Sequence, residues 1–385
     1  MHYARLGSSG LKVSRLALGA MSFGTPSERQ PWTLDDAAAE PVFRRAVELG
    51  ITFWDTANIY GLGTSEEIVG RAIAKYSRRE DVVLATKLFM PMHAGPGGQG
   101  LSRKAVLEQV DASLTRLGTD YIDLYQIHRF DPEVPVAETM EALHDVVKAG
   151  KVRYLGASSM WAWQFATMQH TARSNGWTPF VSMQDQYNLL QREEEREMFG
   201  LLAHEGVGSI PWSPLAAGVV ARPWGEQSTS RAQSNPTVDQ YGRPLFLDSD
   251  KAIVDAVAGI AEQRGVSMAS VAMAWVLRSP VVDAPIVGAT KPHHLRPPSP
   301  PWTSTSPRTR SPRSRAPTRR GSPRTSEPGA TAQADPLLIA GSTTKEPPHD
   351  RATEAGARGG RDRRHRPPRR SRRPAARPPG AGAGA

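Results

Sequence analysis

Tyr121-Ile122-Asp123-Leu124-Tyr125-Gln126-Ile127-His128 is a short, nearly continuous apolar run that ends on a polar side chain. Runs of this kind suit parallel strands buried on both faces. Upstream, residues 102–117 carry Val106, Val110, Leu114 and Leu117 at helical spacing and stop at Gly118. Downstream, residues 136–148 carry Met140, Leu143, Val146 and Val147 and stop at Gly150, and a second apolar run begins at Val152. Strand, helix, strand in that order is the unit that builds a parallel sheet.

The same alternation extends in both directions. Further strand candidates lie at 16–19, 51–54, 82–86, 152–156, 180–184, 208–212 and 285–287. Most start ~30 residues after the one before, which is room for a strand, a helix and two loops. Amphipathic segments at 37–48, 193–204 and 251–264 and a segment at 270–277 that is apolar nearly all round fill other gaps, and Gly50 closes the first. Thr64-Ser65-Glu66-Glu67 has capping-box spacing ahead of Ile68, Val69, Ala72 and Ile73. Residues 3–6 and 11–13 around Gly7-Ser8-Ser9-Gly10 read as a small N-terminal β-hairpin. Eight strand candidates with intervening helices point to an α/β fold, a (β/α)8 TIM barrel, for which ~250 residues is typical. The competitor is a doubly wound open sheet, which would hold a dinucleotide on a Gly-x-Gly-x-x-Gly turn. Gly61-Leu62-Gly63 lacks the third glycine, which favours the barrel. Residues 219–249 form a long irregular loop of the sort that is either functional or disordered.

Charge divides the chain of 385 residues in two. The net charge is +10, yet residues 296–385 alone carry +14 and 17 of the 33 prolines, so residues 1–295 carry −4. The expected organisation is a barrel domain at 1–295 and a disordered, basic Pro/Arg-rich tail at 296–385. The absence of cysteine excludes disulfide, zinc-thiolate and cysteine-nucleophile chemistry. No apolar run approaches the ~20 residues of a membrane span, and no secretory core stands at Met1–Gly7. A cytoplasmic protein with no membrane partner is expected.

Side chains at the C-terminal ends of barrel strands converge on one face. Asp55 ends the second barrel strand, Tyr60 follows five residues on, Lys87 ends the third and His128 the fourth. Singly, each reads as a turn, a solvated lysine or a structural histidine. Together they make an acid/base set. A phenol is a poor acid near neutrality, but an adjacent ammonium favours its anion. A carboxylate holds that ammonium, and an imidazole orients a substrate oxygen. No metal-ligand spacing is present, since His293 and His294 are adjacent, and no metal is expected.

These residues lie within Leu18-Gly19-Ala20-Met21-Ser22-Phe23-Gly24, Phe53-Trp54-Asp55-Thr56-Ala57 with Tyr60-Gly61, Leu84-Ala85-Thr86-Lys87, Asp123–His128 and Trp212-Ser213-Pro214-Leu215. In that order the motifs resemble the aldo-keto reductase family over residues 3–295, and most of all its bacterial aryl-alcohol-dehydrogenase-like members. The resemblance implies NADPH-dependent reduction of aldehydes or ketones, aromatic ones among them, to alcohols. It implies Tyr60 as general acid, Lys87 easing loss of its proton, Asp55 pairing with Lys87, and His128 orienting the carbonyl. For the cofactor it implies Met21, then Ser158, Ser159 and Gln184 at the carboxamide. It further implies Trp212 stacked on the nicotinamide, and Ser213, Leu215 and Gly218 in the pyrophosphate loop. Gly288, Thr290, Lys291 and His294 would lie at the adenosine 2′-phosphate. Ser159 stands where the family often has Asn, and Trp212 where it often has Tyr. Trp161, Trp163 and Trp177 are expected to pack, and the 193–197 acidic run to be a solvated helix start.

Residues 296–326 contain almost no large apolar side chains and do not suit the last barrel helix, which is therefore expected to be missing. One origin is an evolved basic tail. The other is out-of-frame reading of GC-rich DNA. With third bases and two codon families chosen freely, codons for residues 299–314 read in another frame give Ala-Ala-Leu-Asp-Val-His-Leu-Thr-Pro-Asp-Glu-Ile-Ala-Ala-Leu, which resembles the C-terminus of the family. The frameshift is favoured, and the tail is then no sign of a nucleic-acid partner. On that reading the chain as written is expected to be poorly soluble or to bind NADPH weakly, because the last barrel helix and the adenine-holding residues of the family fall beyond Leu295. The alternatives for function are a cofactor-binding regulatory or inactive barrel with little turnover, and, from the tail alone, nucleic-acid binding. Composition says nothing of the oligomeric state.

Overall fold

Apolar side chains on alternate strand positions fill one end of the sheet, and polar side chains occupy the other. Residues 1–27, 30–226, 233–234, 237–238 and 244–295 are described by the computed structural model. The chain opens with an antiparallel hairpin, β1 (Tyr3–Arg5) and β2 (Lys12–Ser14). Strands β3 (Ala17–Gly19), β4 (Phe53–Asp55), β5 (Val83–Leu88), β6 (Ile122–Ile127), β7 (Val152–Ser158), β8 (Phe180–Gln184), β9 (Gly208–Ser209) and β10 (Ile286–Gly288) follow. They form one parallel eight-stranded sheet in the order β10-β3-β4-β5-β6-β7-β8-β9. The sheet curls on itself. The Ile286 amide donates to the Pro211 carbonyl at 2.9 Å, and Ser209 bridges Val282, which joins the two edges. The expected barrel is the fold found, and every strand candidate overlaps an observed strand.

Helices α1 (Asp36–Glu48), α2 (Thr64–Tyr76), α3 (Arg103–Leu117), α4 (Val136–Lys148), α5 (Ala162–Ser174), α6 (Met198–Glu205), α7 (Asp248–Arg264) and α8 (Met268–Leu277) alternate with the strands. Asp35 caps α1 by accepting from the Ala38 amide, and Ser102 caps α3 by accepting from the Ala105 amide. Gly118 ends α3 in the left-handed conformation its carbonyls require. The capping box expected at Thr64 does not form. The Thr64 hydroxyl donates back to the Gly61 carbonyl, and it is Glu66 that turns inward, accepting from Thr86 and Arg116. The segment expected to be helical from residue 193 divides instead into a 3-10 turn, Glu193–Glu195, and α6.

Side-chain alternation decides where chemistry sits. Phe53, Ala85, Leu124 and Ile210 fill the lower barrel together with Leu6 and Val13 of the hairpin, which closes that end. Two residues further along the same strands come Asp55, Lys87 and Gln126, all buried. Among the described residues no helix is long and apolar enough to cross a membrane. The tail at 296–385, the helix expected to be missing, and residues 227–232, 235–236 and 239–243 of the long loop lie outside the described residues.

Candidate active site

Lys87 is fully buried at the C-terminal end of β5. Its Nζ donates to Asp55 Oδ2 at 2.6 Å and to the Thr56 carbonyl at 2.8 Å, and lies 3.5 Å from the Tyr60 hydroxyl. The ammonium also sits 5.1 Å from the centre of the Tyr60 ring. Burial pushes the Lys87 ammonium down from its ordinary value, and the Asp55 carboxylate opposes that shift. Tyr60 meets His128 edge-on, with ring centres 6.0 Å apart. Burial holds His128 well below the usual histidine range, with Arg129 and Lys87 acting in the same direction, so the imidazole is neutral near pH 7. A neutral imidazole keeps one N–H to donate to a substrate oxygen. The structure thus brings Asp55, Tyr60, Lys87 and His128 together from three strand ends and the loop after β4.

Above them opens a cavity of about 570 Å³. Its wall includes Met21, Asp55, Tyr60, His128, Ser158, Gln184, Trp212, Ser213, Leu215, Gly218, Gly288, Thr290 and His294. Three of the residues singled out in the sequence stand apart from that wall. Lys87 lies directly behind Asp55 and Tyr60. Ser159 accepts from the Trp212 indole N–H at 3.2 Å and holds a left-handed φ of 49°. Asn adopts that conformation more readily than Ser. Lys291 is exposed and outside the wall, where Arg222 and His293 stand instead. Sequence reasoning missed Arg222 because the loop that carries it has no periodic pattern.

One turn of the wall has an unusual backbone. Ser213, Ala216, Ala217 and Gly218 all hold positive φ, between 50° and 96°. The Ala216 amide donates to the Ser213 carbonyl at 3.0 Å, the Ala217 amide to the Ser213 hydroxyl at 3.1 Å and the Gly218 amide to the Leu215 carbonyl at 2.8 Å, so the turn closes on itself. Arg222 adds a cation beside it. Ser158 donates to the Gln184 carbonyl at 2.7 Å, which ties the ends of β7 and β8.

Two expectations are corrected here. Trp163 does not pack, being 62% exposed and touching Phe130 edge-on, because it occupies the outward side of the first turn of α5. The acidic run is not wholly solvated. Glu194 turns back against Asp185, the residue after Gln184. Burial pushes Asp185 up to about 7, against the pull of a hydrogen bond with Glu194, the Ser159 backbone and Arg129. Burial and the facing carboxyl raise Glu194 well above the usual range. Two carboxyls so close cannot both ionise cheaply and share a proton.

The pair carries a prediction. The unfolded Asp185 carboxyl loses its proton near 3.8, the ordinary value for an aspartate, and the folded one near 7. Between those values the folded state binds more protons, so stability falls as pH rises through the window and the loss is complete above it. Asp185→Asn removes the share of this dependence that Asp185 carries and leaves the share that burial gives Glu194. Its melting temperature is expected to exceed the parent's by roughly 3 °C or more near pH 8, with a smaller gain near pH 5. Thermal melts at both values check it, and an equal difference at the two would refute it.

Residues 15–297 match the model of the Aldo/keto reductase family. The versiconal hemiacetal acetate reductase of Aspergillus parasiticus is 48% identical over 293 residues, covering 71% of this chain and 85% of that protein. An aldo-keto reductase of Alternaria alternata is 48% identical over 298 residues, covering 71% and 80%. A Schizosaccharomyces pombe protein that carries an aryl-alcohol dehydrogenase name is 44% identical over 300 residues, covering 71% and 84%. With a family model spanning most of the barrel and relatives matched along most of their own length, this chain belongs to the aldo/keto reductase family.

Proposed function

We propose that the chain is an NADPH-dependent reductase of aldehydes and ketones, aromatic ones included. The observation that carries the reading is the buried Asp55–Lys87 pair set against the Tyr60 hydroxyl at the floor of a cavity that Arg222 also lines. Family membership supports carbonyl reduction by an oxidoreductase in general terms.

When bound, the nicotinamide supplies the hydride. The chain's own residues do the rest. His128, neutral, donates an N–H to the carbonyl oxygen and fixes its approach. Tyr60 gives that oxygen a proton. Lys87 stabilises the phenolate left behind, and Asp55 keeps Lys87 in place. Gln184 and Ser158 suit the carboxamide, Trp212 suits the face of the ring, and the turn at Ser213–Gly218 with Arg222 suits phosphates. The cation there favours the extra phosphate of NADPH over NADH.

Loss of nicotinamide absorbance with a panel of aromatic and aliphatic aldehydes tests the reading. NADPH oxidation that depends on aldehyde, and is at least ~10-fold slower with NADH, is expected. Tight NADPH binding in folded protein without turnover on any aldehyde or ketone would instead mark a cofactor-binding barrel of regulatory role.

A further inference from the structure

We propose that Gln126 is a positioning residue that locks the acid set and the carboxamide contact into one array; this rests on the carbonyl-reductase reading above. Gln126 lies in β6, fully buried and outside the cavity wall, two residues before His128 on the same inward face. Its Nε2 donates to Asp55 Oδ1 at 2.9 Å. Its Oε1 accepts from Gln184 Nε2 at 3.1 Å. Gln184 Nε2 also donates to Asp55 Oδ1 at 3.0 Å. A carboxylate only accepts, so both amide nitrogens must face Asp55. This fixes which way each amide is turned. Gln184 is left with its Oε1 for the cavity it lines, an acceptor suited to a carboxamide N–H.

The side chain spans the barrel from β6 to β4 on one side and β8 on the other. Room for it is built into β7. Gly156 is the register partner of Gln126, and a Cβ there would come within 2.9 Å of Gln126 Cγ and 2.6 Å of Ser182 Oγ. On the other flank the register partner is Lys87. Gln126 therefore stands between the lysine that serves Tyr60 and the glutamine offered to the cofactor. It is not part of the cavity wall. Its effect passes through Asp55 to Lys87, and through the orientation of Gln184.

The experiment compares the full chain with Gln126→Leu, Gln126→Glu and Tyr60→Phe. Steady-state kinetics with an aromatic aldehyde is followed over pH, and NADPH affinity is measured separately by fluorescence quenching. Gln126→Leu keeps the bulk and loses both hydrogen bonds. Its kcat is expected to fall by roughly 10²-fold, as for a small misplacement of catalytic groups, and its NADPH Kd to rise by about tenfold. The carboxyl introduced by Gln126→Glu faces two charged groups, Asp55 on β4 and Lys87 on β5. Protonated, it still donates to Asp55; ionised, it repels Asp55 and competes for Lys87. That variant is expected to recover activity in acid and lose it as pH rises, a profile the parent lacks. Because it is isosteric with glutamine, it also serves if the leucine variant fails to fold. Loss of kcat in Gln126→Leu with unchanged NADPH affinity, or a Gln126→Glu profile parallel to the parent's, would reduce Gln126 to packing and overturn the proposal. Equal turnover by the parent and Tyr60→Phe would instead overturn the reading beneath it.

Discussion

Tyr60→Phe is expected to lower kcat for carbonyl reduction by roughly 10²–10⁴-fold, the usual worth of a positioned general acid. The ring stays. Its edge contact with His128 and the Lys87 ammonium over its face do not need the hydroxyl. What goes is the one O–H poised 3.5 Å from Lys87 Nζ at the cavity floor. The residues proposed for the phosphates and the carboxamide, Ser213–Gly218, Arg222 and Gln184, are other members of the wall. NADPH binding, read by fluorescence quenching, is therefore expected within about threefold of the parent. That split separates lost transition-state stabilisation from lost ground-state binding. A variant keeping most of its turnover would move the proton donor to another group, with His128 the nearest candidate.

The strands were legible because each is a short apolar run between helices whose stripes and glycine stops are plain. Asp55, Lys87 and His128 were legible for a related reason: each ends such a run with a charge or an imidazole. Gln126 was not. It sits inside a run that reads as one apolar strand, and its partners lie 71 and 58 residues away. The available signal was positional, since a lone amide two residues before His128 must share its inward face. Glu194 was hidden differently. Local charge density in the 193–197 run argues for solvent, and only the fold-back of the chain after β8 puts one of those carboxyls against Asp185. Thr64 shows the converse failure. The capping-box spacing is present, but left-handed Gly61 and Gly63 turn the chain so that Thr64 closes the preceding turn instead. Local patterns report local structure well, and miss what is decided by which strands become neighbours.

Lys87→Met should damage stability and catalysis together, and a second substitution should separate them. Methionine fills nearly the same buried volume, so packing survives. The charge does not. Among the described residues, Asp55 then keeps two amide donors on Oδ1, Oδ2 loses its ionic partner, and the Thr56 carbonyl loses its donor. Removing one member of a buried ion pair typically costs about 3–5 kcal/mol, because the other charge stays behind unpaid. A fall in melting temperature of roughly 5–15 °C follows for a domain of this size. Activity should drop about as far as in Tyr60→Phe, since no ammonium remains to favour the phenolate. The double variant Asp55→Asn/Lys87→Met has no stranded charge and should regain most of the stability. It should regain none of the activity. Thermal melts and kcat on the parent, the single variant and the double variant decide the matter. A single variant as stable as the parent would mean that the pair is not ionised in the fold. A double variant that recovers turnover along with stability would mean that Lys87 acts only as structure, and that Tyr60 gives up its proton without its help.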